Sequence, residues 1–228
     1  MKFIFFVLVV FSLCSGCSIK LKDMVRDNLS EIVDYVVSGE VDNIRITLMS
    51  GKRENIYKLN GVSEELVPYS ILTVCSNGNI DIKEVKYTIF VGVNKYEGIM
   101  ENNPYDDSWV ADLKRTVDYK ENISVDIYID DSKYSTKLNR IDNDWITNST
   151  MIIDDILIAN YEEQVKHFIK DNKFMGEVYL KLIQDYDKHS SRFYYYVSIQ
   201  GRDNSSMSLL ISPKTSEVLA SNLIDTNN

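Results

Sequence analysis

Between Ile19 and Gly39 the apolar residues Leu21, Val25, Leu29, Ile32 and Val36 recur every three or four positions. That spacing predicts one helical stripe, with Gly39 as its C-terminal cap. The period then falls to two. Ile44, Ile46 and Leu48 alternate with Arg45, Thr47 and Met49, and SGKREN is expected to turn the chain into IYKLN. YSILTVCS, after Pro68, predicts a further strand. Val85, Tyr87, Ile89, Val91 and Val93 face one way and Lys86, Thr88 and Asn94 the other, with a tight turn expected at Asn94–Lys95. Asp107 or Ser108 is placed to cap a short helix over WVADLKR. ISVDIYI and KYSTKL predict a hairpin around Asp130 and Asp131.

The helical period returns from Asn148 to Ile169, where Ile153, Ile156, Leu157, Tyr161, Val165 and Phe168 share one face. Alternating strands follow: Phe174 to Leu182, RFYYYVSIQ, SMSLLIS and SEVLAS, the last two joined by a turn at Pro213. A helix followed by an antiparallel meander therefore occurs twice. The expected fold class is α+β, two such units with each helix packed on one sheet face. The expected division is a signal peptide over residues 1–16, an N-terminal domain over 17–145 and a C-terminal domain over 146–228.

The closing segment LLISPKTSEVLAS, after its helix and strands, resembles PepSY-type domains of secreted bacterial proteins. Ser212 and Ser216 stand where that family often has an Asp and a Gly. The resemblance covers under a third of the chain and implies a small non-catalytic module, often tied to protease inhibition or envelope localisation.

The N-terminus changes the picture of where such a protein works. Met1 and Lys2 precede FIFFVLVVFSL, an uncharged run shorter than the roughly 20 residues a membrane-crossing helix needs. A positive start, an apolar core and small residues after it are the parts of a secretory signal peptide. Ser15 and Gly16 then place small residues directly before Cys17, with Cys14 and Leu13 upstream. This resembles the lipobox of bacterial lipoproteins, and the resemblance implies a diacylglycerol on Cys17 and an extracytoplasmic body anchored to the cell membrane. An ordinary signal peptidase, reading Gly16 and Cys14, could cut at the same bond.

Composition narrows the partners. The chain has 228 residues, a formal charge of −9 and three cysteines. No basic cluster longer than GKR (51–53) occurs, so the positive face that nucleic acid requires is lacking. If Cys17 carries lipid, Cys75 has no intramolecular disulfide partner; a Cys17–Cys75 bridge is the alternative in an unlipidated form. Asn28, Asn122, Asn148 and Asn204 begin Asn-x-Ser/Thr triplets, as chance allows in a chain rich in both residues.

Candidate chemistry is sparse. His167 falls four residues after Glu163 near a helix end, and the zinc-protease spacing of two histidines on one turn is missing. Asp185, Asp187 and His189 alternate in DYDKHSS without the Gly and distal Glu of a calcium loop. Glu101, Asn103, Asp106 and Asp107 are the best candidates to converge on a hard cation, although they also suit a turn and a helix cap. Asp154–Asp155 and Glu162–Glu163 suit a solvated helix face. Cys75 reads as core. Tyr194 and Tyr196 offer an aromatic platform on a sheet. The sequence thus points to a non-enzymatic, lipid-anchored envelope protein that contacts another protein or a surface polymer, with no catalytic residue, metal or cofactor assigned. The alternatives are a metal-dependent hydrolase built on residues 101–107 and a small solute-binding lipoprotein.

Overall fold

The computed structural model describes residues 20–56, 58–76, 83–104, 108–118, 120, 122–185 and 192–224. Cys14, Cys17, Asp106, Asp107, Asp187 and His189 lie outside the described residues. The strands in chain order are β1 (Leu29–Val41), β2 (Ile44–Glu54), β3 (Leu66–Ser76), β4 (Val85–Val91), β5 (Asn94–Ile99), β6 (Glu101–Asn102), β7 (Trp109–Asp112), β8 (Ile123–Ile129) and β9 (Ser132–Arg140). After the helical segment come β10 (Ile169–Lys170), β11 (Lys173–Phe174), β12 (Gly176–Asp185), β13 (Arg192–Gly201), β14 (Ser206–Ile211) and β15 (Val218–Ile224). Helix α1 covers 20–26; α2 covers 149–166 and joins Ser149–Met151, Ile152–Leu157 and Ile158–Lys166.

The expected pair of helix-plus-meander units is not what forms. Strand takes 57% of the described residues against 13% for helix, and thirteen strands share one nearly closed, barrel-like sheet. The decisive element is β1. The stripe that predicted a helix to Gly39 is helical only to residue 26, and the rest is strand. The reason is burial on both faces. Val33 and Val36 enter one core while Tyr35 and Val37 enter another, and a break in register between Val33 and Tyr35 lets neighbouring residues serve both. A bulged strand buried twice has apolar residues at mixed spacings that imitate a helical stripe. Its β-branched content, in IVDYVV, is the propensity signal that the spacing hides.

β1 also divides the sheet. Its first half pairs in parallel with β12, Leu29 opposite Val178 and Ile32 opposite Leu180. Its second half pairs with β9, Val37 opposite Arg140 and Ser38 opposite Asn139. Its other edge pairs with β2 throughout, closed by a two-residue turn in which Asp42 (φ 47°) and Asn43 (φ 65°) both take positive φ. Asp and Asn tolerate that conformation, which suits the twist of a tight hairpin.

One core lies between β1–β3 and the meander of β4, β8 and β9. Ile44, Ile46, Leu48, Leu72 and Val74 meet Val85, Ile89, Val125 and Ile127 there. The other lies between the β12–β14 meander and the helices. Leu21, Val25, Ile152, Ile153, Ile156, Leu157, Val165 and Phe168 cover Val178, Leu180, Val197, Ile199, Leu209 and Ile211. A widened helical turn over Ile152–Leu157 points all four of its apolar side chains inward. Asp154 takes two 2.7 Å hydrogen bonds from Arg26, tying α2 to α1.

Three further expectations are corrected. SGKRE continues β2 instead of turning. The segment expected as a capped helix after Ser108 is strand β7, because Trp109–Asp112 pairs with Val74–Ile71 of β3. The turn expected at Asn94–Lys95 falls at Gly92 and Val93, leaving Val93 fully exposed.

Candidate functional site

The tip of the β1–β2 hairpin, the segment between β9 and α2, and the ends of β13 and β14 enclose an open groove of about 690 Å³. Ser38, Gly39, Glu40 and Arg45 form one wall, Ile141, Asp144 and Trp145 the floor, and Arg192–Tyr194 with Ser212–Lys214 the other wall. The groove lies at the seam between the two cores, where the sheet divides. Seams of this kind are preferred places for ligand sites, and the volume falls in their usual range.

Each part is fixed locally. Trp145 packs against Phe193 (ring centroids 5.8 Å apart) and edge-on against Tyr195 (5.9 Å), so it is held rigidly while remaining only half-buried. The backbone N–H groups of Ile146 and Thr147 both donate to the carbonyl of Pro213 at 3.1 Å, clamping the segment after Trp145 onto the β14–β15 turn. Thr147 and Ser216 hydroxyls add a second tie. Arg140 donates two hydrogen bonds to Asp142, at 2.7 and 2.6 Å, and so holds the start of the segment.

The groove departs from the charge of the whole. Against the chain's −9, it collects three cations (Arg45, Arg192, Lys214) and two carboxylates (Glu40, Asp144). Lys214 and Asp144 approach to 3.7 Å with both side chains about two-thirds exposed, a contact worth little in water. Arg45 and Arg192 form no ion pair among the described residues. Two guanidinium forks beside a fixed indole suit a partner that offers carboxylates along with apolar surface.

A second polar cluster lies deep in the fold. Ser30 donates its hydroxyl to Glu54 at 2.8 Å and stands 3.5 Å from Glu177. The backbone N–H of Glu64 donates to Glu54 at 2.6 Å and that of Gly61 to Glu177 at 3.0 Å. Glu54 and Glu177 are 1% and 0% exposed, so no substrate reaches them. This cluster docks the segment around Gly61 onto the sheet. Next to it Tyr69 donates to Glu31 at 2.9 Å, and Lys181 approaches Glu31 at 3.3 Å.

Among the described residues, those singled out from sequence do not assemble into one centre. Glu101 is exposed on β6, and Asn103 closes a turn by donating its N–H to the Ser108 carbonyl at 2.7 Å. His167 ends α2, beside Lys166 and its partners Glu162 and Glu163, far in the chain from any other imidazole. Cys75 is half-buried at the end of β3, at the margin of the core that sequence reading gave it. Among the described residues no three His, Cys, Asp or Glu side chains gather to hold a metal. No helix in them is long and apolar enough to cross a membrane. Tyr194 and Tyr196 are half-buried on the sheet face away from α2, and Tyr194 lines the groove. The other groove residues went unseen in the sequence. The one signal available was a tryptophan in the polar run DNDWITNST, an expensive side chain to leave in a linker.

No family model, curated protein or solved structure matches the chain.

Proposed function

We propose that the protein is a non-enzymatic envelope protein, anchored to the membrane by lipid on Cys17, which binds a protein or surface-polymer partner in the groove at its seam. The observation that supports this reading is the pairing of Trp145, rigid yet half-exposed, with the guanidinium groups of Arg45 and Arg192, which make no ion pair among the described residues. The groove lining offers guanidinium, ammonium, carboxylate, hydroxyl and aromatic groups. Such a set holds and orients a ligand by hydrogen bonds and stacking and supplies no activated nucleophile.

Two measurements test the two parts. Intact mass spectrometry of the protein taken from its own membranes is expected to show an N-terminus at Cys17 carrying a diacylglyceryl adduct. A chain beginning at Met1, or at Cys17 without the adduct, overturns the anchor. The chain holds only two tryptophans, Trp109 and Trp145. Acidic peptides and anionic envelope-polymer fragments are therefore expected to include a ligand that shifts tryptophan emission in the native protein. The shift is lost in Trp145→Phe and in the double variant Arg45→Gln/Arg192→Gln. A ligand whose response survives both variants binds elsewhere and overturns the groove assignment.

A further inference from the structure

The connection from β2 to β3 is held from beneath and apolar on its outer side. It lies beside the start of β1, where Glu31 stands opposite Arg53. Ile56, Leu59 and Val62 in this loop are 65%, 67% and 39% exposed, and Val67, just inside β3, is 36% exposed. Apolar residues scattered singly over a surface need no explanation; four along one connection do. The backbone between them is fixed. The N–H of Gly61 donates to Glu177 at 3.0 Å and that of Glu64 to Glu54 at 2.6 Å. The Gly61 carbonyl accepts from Arg202 Nε at 3.2 Å. Gly61 takes φ 72°, and a β-carbon there would meet the backbone nitrogen of Arg202 at 2.7 Å. Leu59 takes φ 47°, a conformation that a bulky residue seldom adopts. Two deeply buried carboxylates thus hold a loop that leaves its apolar side chains in water. Fixing exposed apolar groups adds little to the fold, but it removes the ordering cost of a later contact.

We infer that this loop is the face the protein lays on a lipid bilayer, dipping Ile56, Leu59 and Val62 into the boundary between headgroups and acyl chains. Such a contact presupposes the lipid proposed on Cys17, and the place of the loop selects the bilayer as its occupant. Ser63 donates its hydroxyl at 3.4 Å to the carbonyl of Asp27, just past the end of α1. From there α1 leads back to Lys20 over about 10 Å. The three residue steps from Lys20 to Cys17 add at most roughly 10 Å. A lipid on Cys17 therefore keeps the loop within about 20 Å of the membrane. On so short a tether insertion is an intramolecular event, favourable even for a patch too small to hold the protein on a membrane alone. The charges suit an apolar contact: Lys58 pairs with Glu64, and Glu65 sits at the foot of the loop before β3. Insertion is then indifferent to salt and to anionic lipid. The groove lies towards the other end of β1. Glu40 lines it, and the strand between Glu31 and Glu40 spans roughly 25–30 Å. Resting on its loop, the body presents the groove at the end away from the bilayer, where an envelope partner can reach it.

The test uses the full chain purified from its own membranes, in a Cys75→Ala background, and reconstituted into phosphatidylcholine vesicles. A polarity-sensitive fluorophore is attached at Leu59→Cys or, as the control, at Glu40→Cys; both side chains are exposed, so labelling leaves the core intact. Emission at 59 is expected to shift to the blue on reconstitution, to be quenched by lipids brominated in their acyl chains, and to stay unchanged in high salt. Emission at 40 is expected to remain that of a probe in water. Intact mass spectrometry of the same sample reads the anchor separately. An adduct on Cys17 with the probe at 59 still in water overturns the inference and leaves the anchor standing. A chain without the adduct overturns the anchor, and the membrane contact of the loop with it. Shielding at 59 that grows with protein concentration and ignores brominated lipid places a second copy on the loop and overturns the inference. Equal quenching at 59 and 40 overturns it as well.

Discussion

Gly51 shows how closely this sheet is packed at single residues. It lies opposite Val33 in β1, where the register breaks, and a β-carbon there would run into the carbonyl of Ile32 and the Cα of Val33. Both are backbone atoms that cannot swing aside. Gly51→Ala is expected to cost about 2–4 kcal/mol in urea unfolding, well above an ordinary strand substitution. Buried tyrosines set the alkaline limit. Tyr35 and Tyr195 are 4% and 5% exposed, and burial pushes both hydroxyls from 10.0 up to about 12. The folded state then keeps a proton that the unfolded chain has released. Stability from each is full below pH 10, and it falls as pH rises through the window from 10 to about 12. Removing either hydroxyl, by Tyr35→Phe or Tyr195→Phe, is expected to raise the alkaline unfolding midpoint followed by circular dichroism.

At the scale of elements, α2 was legible because only one of its faces is buried and its start is signalled. Asn148 accepts a hydrogen bond from the Met151 N–H at 3.0 Å, so Asn148→Ala is expected to cost about 1 kcal/mol by thermal unfolding. Leu157, fully buried on the inner face of the same helix, is a larger stake: Leu157→Ala is expected to cost about 2–5 kcal/mol. β8 and β14 were legible for the same one-sided reason, since each alternates a buried with a half-buried residue, and β13 does so from Phe193 to Val197. β1 was not. It contributes to two cores and carries bulges, and its pattern contains the sum of two faces. β7 was missed because its caps and acidic start are as good for a helix, and only its pairing with β3 makes it strand.

For the whole molecule, β1 couples everything. Its N-terminal half is hydrogen-bonded to the C-terminal meander and its C-terminal half to β9, so neither core can open without disturbing the strand they share. Unfolding in urea is therefore expected as one transition, with tryptophan emission, reporting Trp109 and Trp145, and far-ultraviolet circular dichroism coinciding. Separate midpoints would mean that the sheet divides into independent units. The groove depends on the same connection, because Arg45, Trp145 and Arg192 come from segments that meet only where the sheet divides. Tyr194 was visible in advance, as an aromatic residue alternating outward along a strand. The sequence by itself determined the strands and the helix whose burial is one-sided, the acidic balance of the chain and the signal-like start that leads to Cys17, since each of these is written in local order. Only the tertiary structure decided that the halves share a sheet, that β1 is a strand, and that cations scattered through an acidic chain collect around one tryptophan. Those outcomes depend on which distant segments pack together, and local periodicity carries no record of that.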